Sequence, residues 1–171
     1  MLVDLTLDGC PGKSIQVYAV LDEQSNATIL EYRVLDLFGL PFPTIAYDMI
    51  PADAKNAKRS VGRLVSGLNV AGVLSRHLIL LKDVLTIDEL ADSRDQVATP
   101  EIAKLHSHVA PYASKFPPFD PKARVSLLIG TNNERALGTQ VPLPEIYPLL
   151  PSLTWDMPWL GNHVPLLLTL F

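Results

Sequence analysis

Cysteine is nearly absent. Cys10 is the only one in 171 residues, which excludes an internal disulfide and a cysteine-based zinc site and fits a reducing compartment, so a cytoplasmic location is expected. An excess of positive charge is also missing: 14 Lys and Arg stand against 18 Asp and Glu, for a formal charge of -4 and a pI near 5.5. No broad cationic surface follows, and direct binding of nucleic acid is set aside. Long apolar runs are lacking too. The most apolar stretch near the end, residues 165–171, is far shorter than the roughly 20 residues a membrane-crossing helix needs. The first nine residues alternate apolar and acidic side chains and lack the basic region and apolar block of a secretory signal. No membrane partner is expected.

What is plentiful is proline. Fifteen of them, scattered along the chain, argue against a helical bundle, because each removes a backbone donor and resists helix interiors. The expected class is mainly β, with short helical insertions. With 48% hydrophobic residues the chain is long enough for one core and short for two. No repeat of fixed period is present. The composition changes after residue 138, where six prolines arrive together with both tryptophans. The chain is therefore divided into a folded unit, residues 1–138, and a divergent Pro-rich tail, residues 139–171.

Apolar runs at residues 3–7 and 15–21 flank Asp8-Gly9 and Pro11-Gly12, which reads as a β-hairpin whose second strand delivers the chain to Asp22. Residues 28–40 are expected to be helical, with Ile29, Val34, Leu35, Leu37 and Phe38 on one face, Gly39 ending the helix and Pro41 just beyond. Two strands, 45–50 and 60–65, flank the polar segment 52–59 as in a long hairpin with a mobile tip. Residues 68–73 and 77–81 form another pair. Thr99-Pro100-Glu101 opens a short helix, with Thr as N-cap, Pro at the first helical position and an acid near the positive helix end. After Pro117-Pro118, residues 123–129 read as a buried strand, followed by Gly130 and a helical turn over 132–137.

The residues with possible chemistry are few. An aspartic peptidase needs two carboxylates a hydrogen bond apart sharing one proton, one accepting a proton from water while the other polarises the scissile carbonyl. A chain of one lobe supplies half of that pair, and a two-fold homodimer supplies the other. Its sequence marks are an apolar strand ending in Asp and a later apolar-apolar-Gly strand beneath it. Val17-Tyr18-Ala19-Val20-Leu21-Asp22 is the first here, and Leu127-Leu128-Ile129-Gly130 the second. Taken singly, an Asp that closes an apolar strand is more often an ordinary turn residue.

Across about four-fifths of its length the chain resembles the retropepsin-like aspartic peptidase of BEL/Pao retrotransposons. The likeness is carried in order by Leu21-Asp22-Glu23-Gln24-Ser25-Asn26-Ala27-Thr28, Phe38-Gly39-Leu40, Ser66-Gly67-Leu68 with Gly72, Ser93-Arg94-Asp95, Thr99-Pro100-Glu101-Ile102-Ala103, His108, Phe116-Pro117-Pro118, Asp120 and Leu127-Leu128-Ile129-Gly130. It implies a single-lobe retropepsin-like acid-protease barrel, dimeric when active, with Asp22 as the catalytic carboxylate and Ser25 and Gly130 supporting the active-site turn. A polypeptide would bind in extended form under a flap containing Ala52, Asp53 and Ala54. No cofactor and no metal are implied.

In two respects the chain departs from that pattern: residues after about Thr139 do not resemble the family's closing strands, which should help build the dimer sheet, and the active-site motif itself is altered. Such enzymes carry Asp-Thr-Gly or Asp-Ser-Gly, where the hydroxyl ties the two loops across the dimer axis and the glycine admits close backbone. This chain has Asp22-Glu23-Gln24, leaving Ser25 as the nearby hydroxyl. The alternative reading is a catalytically degenerate remnant, or a peptide- or protein-binding module. Other groupings take plain readings. His106 and His108 with Glu101 do not share a helix face as metal ligands would. Lys55, Lys58, Arg59 and Arg63 read as a solvated basic hairpin. Asp83, Asp88, Glu89, Asp92 and Asp95 read as solvent-facing acids.

Overall fold

A computed structural model describes residues 1–50, 57–74 and 77–138. The flap tip with Ala52, Asp53 and Ala54, the basic Lys55, and the Pro-rich tail lie outside the described residues.

The chain is mainly β. β1 (Leu2–Leu7) and β2 (Ser14–Leu21) form the expected antiparallel hairpin, in register from Leu2↔Tyr18 to Thr6↔Ser14. Gly9 and Gly12 turn it at φ values of 84° and 75°, a left-handed conformation that other residues adopt only at a cost. β3 (Thr28–Glu31) follows and runs directly into helix α1 (Tyr32–Phe38), which Gly39 closes in the left-handed conformation. β4 (Thr44–Met49) and β5 (Lys58–Val65) are the arms of the long hairpin, paired from Thr44↔Arg63 to Met49↔Lys58. β6 (Leu68–Gly72) and β7 (Ile79–Leu81) are the next antiparallel pair. β8 (Val84–Ile87) precedes helix α2 (Pro100–Lys104), and Thr99 caps α2 by accepting from the Ile102 amide at 3.3 Å. After a 3-10 segment at Ala110–Lys115, β9 (Val125–Ile129) leads through Gly130 into α3 (Glu134–Gly138).

The nine strands among the described residues belong to one open sheet in the order β4-β5-β8-β3-β9-β2-β1-β6-β7. β9 lies at its centre, parallel to β2 and antiparallel to β3. All five of its residues are buried, as expected of a strand covered on both faces. Leu127 and Ile129 join the main core with Val3, Leu5, Ala19, Leu30, Leu35 and Phe38, while Leu128 packs on the other face against Ile29 and Leu90. No described helix is long and apolar enough to cross a membrane.

Two elements differ from the sequence expectation. Residues 28–31 are a strand, not the first turn of a helix. All four are buried, because β3 is inserted between β8 and β9 and takes ladder bonds from both, and this pairing overrides any local helical period. The helix that remains buries Val34, Leu35 and Phe38, and turns Leu37 to solvent with 57% of its surface exposed. β8 was not expected at all. It is four residues long and sits between Asp83 and the Asp88-Glu89 pair, which are exposed as anticipated, and so short a run between acids carries little strand signal.

Candidate functional site

β2 ends where its partner ends. Leu21 lies beside Ile129, and the Asp22 amide donates to the Ile129 carbonyl at 2.9 Å. The chain then turns sharply, because Asp22 Oδ1 accepts from the Gln24 amide at 2.9 Å, a side-chain turn of the kind Asp favours. Asp22 Oδ2 is enclosed and has no hydrogen-bond partner among the described residues. A carboxylate oxygen in that condition is costly to keep. Glu23 and Gln24 point to solvent.

Ser25 is fully buried. Its hydroxyl donates to the Ala27 carbonyl at 2.8 Å and accepts from the Ala27 amide at 3.3 Å, so it closes the turn from within. Its carbonyl accepts from both the Thr131 amide, at 2.8 Å, and the Thr131 hydroxyl, at 3.1 Å. Gly130 passes directly under this loop. A Cβ on it would fall 2.3 Å from the Ala27 carbonyl oxygen and 2.7 Å from that of Ser25, so the close approach is open to glycine alone. The sequence elements proposed from 22 to 25 and at 130 therefore meet in space, with Ser25 and Gly130 in backbone contact and Asp22 anchored to Ile129.

Thr28 holds the arrangement together, and sequence reasoning gave it no role. Its buried hydroxyl donates to Asn132 Oδ1 at 2.7 Å and accepts from the Gly130 amide at 3.1 Å and Asn133 Nδ2 at 2.8 Å. Asn133 continues the network to both backbone groups of Lys82, donating at 2.9 Å and accepting at 2.7 Å. The usable signal was Asn132-Asn133 just after Gly130-Thr131, since side-chain amides at a helix start are suited to bonding backbone. A second unpredicted feature lies at the other end of β3. Glu31 is buried, accepts from the Leu90 amide at 2.9 Å, and pairs with Arg33, whose Nε donates to it at 2.6 Å and whose Nη2 reaches the Ser126 hydroxyl at 3.0 Å. An acid within an apolar run was its only mark.

His106 and His108 have ring centroids 6.1 Å apart, and no cluster of three or more His, Cys, Asp or Glu suited to a metal occurs among the described residues. Arg63, expected to be simply solvated, stacks on Tyr32 with its guanidinium carbon 4.7 Å from the ring centroid.

No protein-family model matches the chain, and neither the curated proteins nor the solved structures give a match.

Proposed function

We propose that this chain is an aspartic endopeptidase of a BEL/Pao-type retrotransposon polyprotein, working as a homodimer in which two copies of Asp22 activate one water molecule. The observation that carries the proposal is the setting of Asp22. It stands at the common end of the parallel strands β2 and β9, in a turn pinned by Gly130, with Oδ2 enclosed and without a hydrogen-bond partner among the described residues. One such carboxylate cannot do the chemistry alone; a second across a two-fold axis completes the pair. The ionised carboxylate then takes a proton from the water, whose oxygen bonds to the scissile carbonyl carbon. The protonated carboxyl gives its proton to the carbonyl oxygen. Collapse of the resulting diol breaks the C–N bond as the amide nitrogen takes up a proton.

The single-lobe retropepsin-like barrel is part of this proposal. The parallel β2–β9 pairing, the antiparallel insertion of β3, and the short helix after Gly130 support it. The β4–β5 hairpin is the element whose tip would carry the flap over an extended polypeptide, which would bind through main-chain hydrogen bonds and side-chain pockets.

A second reading is favoured by one specific observation. Ser25, the hydroxyl nearest the altered Asp22-Glu23-Gln24 motif, is already committed to Ala27, which leaves it less free to tie a second loop across a dimer axis. On that reading the fold is a degenerate remnant or binds peptides without turnover. Cleavage of a mixed peptide library at mildly acidic pH separates the two. Turnover that is abolished by Asp22→Asn and by a statine-type inhibitor supports the peptidase. Undiminished cleavage by Asp22→Asn removes it, and peptide binding without cleavage by a folded dimer supports the second reading.

A further inference from the structure

At the root of the β4–β5 hairpin lies a half-open cleft of about 210 Å³, lined by Tyr32, Thr44, Val61, Gly62, Arg63, Thr86, Ile87 and Asp88. It exists because β5 and β8 part company. They pair at Leu64↔Leu85 and Val65↔Val84, but one step on the Arg63 amide donates to the Thr86 hydroxyl at 2.8 Å instead of to backbone. Gly62 makes the floor, where a Cβ would lie 2.3 Å from the Thr86 carbonyl oxygen. Behind it, Tyr47 donates its hydroxyl to that same carbonyl at 2.8 Å. Burial, and then the negative charge of Asp88, push the Tyr47 phenol above its ordinary pKa, which keeps it neutral and able to donate.

This cleft is separate from the Asp22 turn. β3 and β8 run parallel from Thr28↔Val84 to Glu31↔Ile87; the turn adjoins their beginnings and the cleft their ends. The two places are about 10 Å apart along the strands at roughly 3.3 Å per residue.

The guanidinium of Arg63 is the notable group here. It is stacked on Tyr32 and donates to the Tyr32 hydroxyl, yet no carboxylate among the described residues forms an ion pair with it. A planar, pre-positioned guanidinium loses little freedom on binding and matches a carboxylate through two parallel bonds. Val61, with 70% of its surface exposed, and Ile87 supply an apolar wall beside it. The volume is below the roughly 300 Å³ at which drug-sized pockets begin, so the occupant is small.

We propose that this cleft is a binding site for a small planar carboxylate with an apolar body about the size of one ring, seated with its carboxylate on Arg63 and its body against Val61 and Ile87. Asp88 at the rim opposes such a ligand and limits its affinity. An NMR titration of the full chain with benzoate tests the site. The expected result is saturable shifts at the Gly62 amide and the Arg63 side-chain N–H groups, with a Kd in the millimolar range. Saturation is lost in Arg63→Gln and retained in Arg59→Gln, an exposed arginine on the same strand outside the cleft. Asp88→Asn tightens binding about two- to fivefold, the effect of removing one exposed like charge. Three results overturn the proposal: neutral benzamide binds as well as benzoate, Arg59→Gln weakens binding as much as Arg63→Gln does, or Asp88→Asn fails to tighten it. The Asp88 arm decides the matter even if Arg63→Gln does not fold.

Discussion

Replacing Thr28 by valine keeps the shape of the side chain and removes one oxygen, and that oxygen serves three partners. The Gly130 amide is buried and loses its acceptor, which costs about 1–3 kcal/mol for an orphaned donor. Asn133 Nδ2 keeps the Lys82 carbonyl at 2.9 Å, so its loss is closer to one ordinary bond, about 0.5–1.5 kcal/mol. Asn132 is exposed, and water replaces the hydroxyl at its Oδ1. The expected destabilisation is therefore about 2–4 kcal/mol. Thr28→Ser keeps the hydroxyl and removes one methyl group from a filled site, for about 1 kcal/mol. Urea unfolding reads the difference directly: at a slope of about 2 kcal/mol per molar, the valine variant should unfold at a midpoint about 1–2 M lower than the parent. Hydrogen exchange at the Gly130 amide should accelerate in the same variant. If valine is no worse than serine, Thr28 is a packing residue and the network does not hold the Asp22 turn.

Gly130→Ala should cost about 3 kcal/mol or more, because the added carbon meets only backbone at 2.3–2.7 Å. Gly12→Ala, where nothing lies within 4 Å and only the positive φ is at stake, should cost about 1 kcal/mol; thermal unfolding of the two compares steric with conformational cost, and equal shifts would contradict the geometry. Arg33→Met should destabilise by about 3 kcal/mol, since Glu31 is left buried with the Leu90 amide as its sole described partner, and Glu31→Gln in the same background should recover part of the loss in denaturant titrations. Burial lowers the Met1 amine from 8.0 to about 6, so between these values the unfolded chain binds more protons than the folded one. For the chain with a free amine at Met1, stability should therefore rise as pH climbs from about 6 to about 8, by at most about 2 kcal/mol for a group at a partly exposed residue. Acetylating the amine should flatten that slope, and a slope that persists would locate the protons elsewhere.

Much of this arrangement can be read from the chain itself, for identifiable reasons. The β1–β2 hairpin is legible because glycines at 9 and 12 sit between two apolar runs, and β9 because five consecutive residues must be buried on both faces. Asp22 and Gly130 are legible because each terminates such a run. β3 is not, since its strand character comes from distant partners, with Ile29 paired to Leu85 and to Leu128, rather than from its own period, and the apolar face of 29–38 continues smoothly into a real helix. Thr28 and Asn133 were hidden for a related reason: a hydroxyl and an amide are ordinary in loops, and their weight comes only from the burial that brings them together. Glu31 shows the opposite case, an acid that reads as a breaker of an apolar segment and is retained there by the Leu90 amide and by Arg33, which is itself tied to Ser126.

The bonds that define the Asp22 turn join residues about a hundred positions apart; Thr131 and Ser25 are separated by 106. Closing so long a loop is entropically slow, and parallel pairings of this kind assemble late in folding. During synthesis, then, β1 and β2 can form as soon as they emerge, but the turn stays unformed until residues beyond 130 have left the ribosome. A growing chain cannot display a finished Asp22 turn, and its maturation is timed by the arrival of β9.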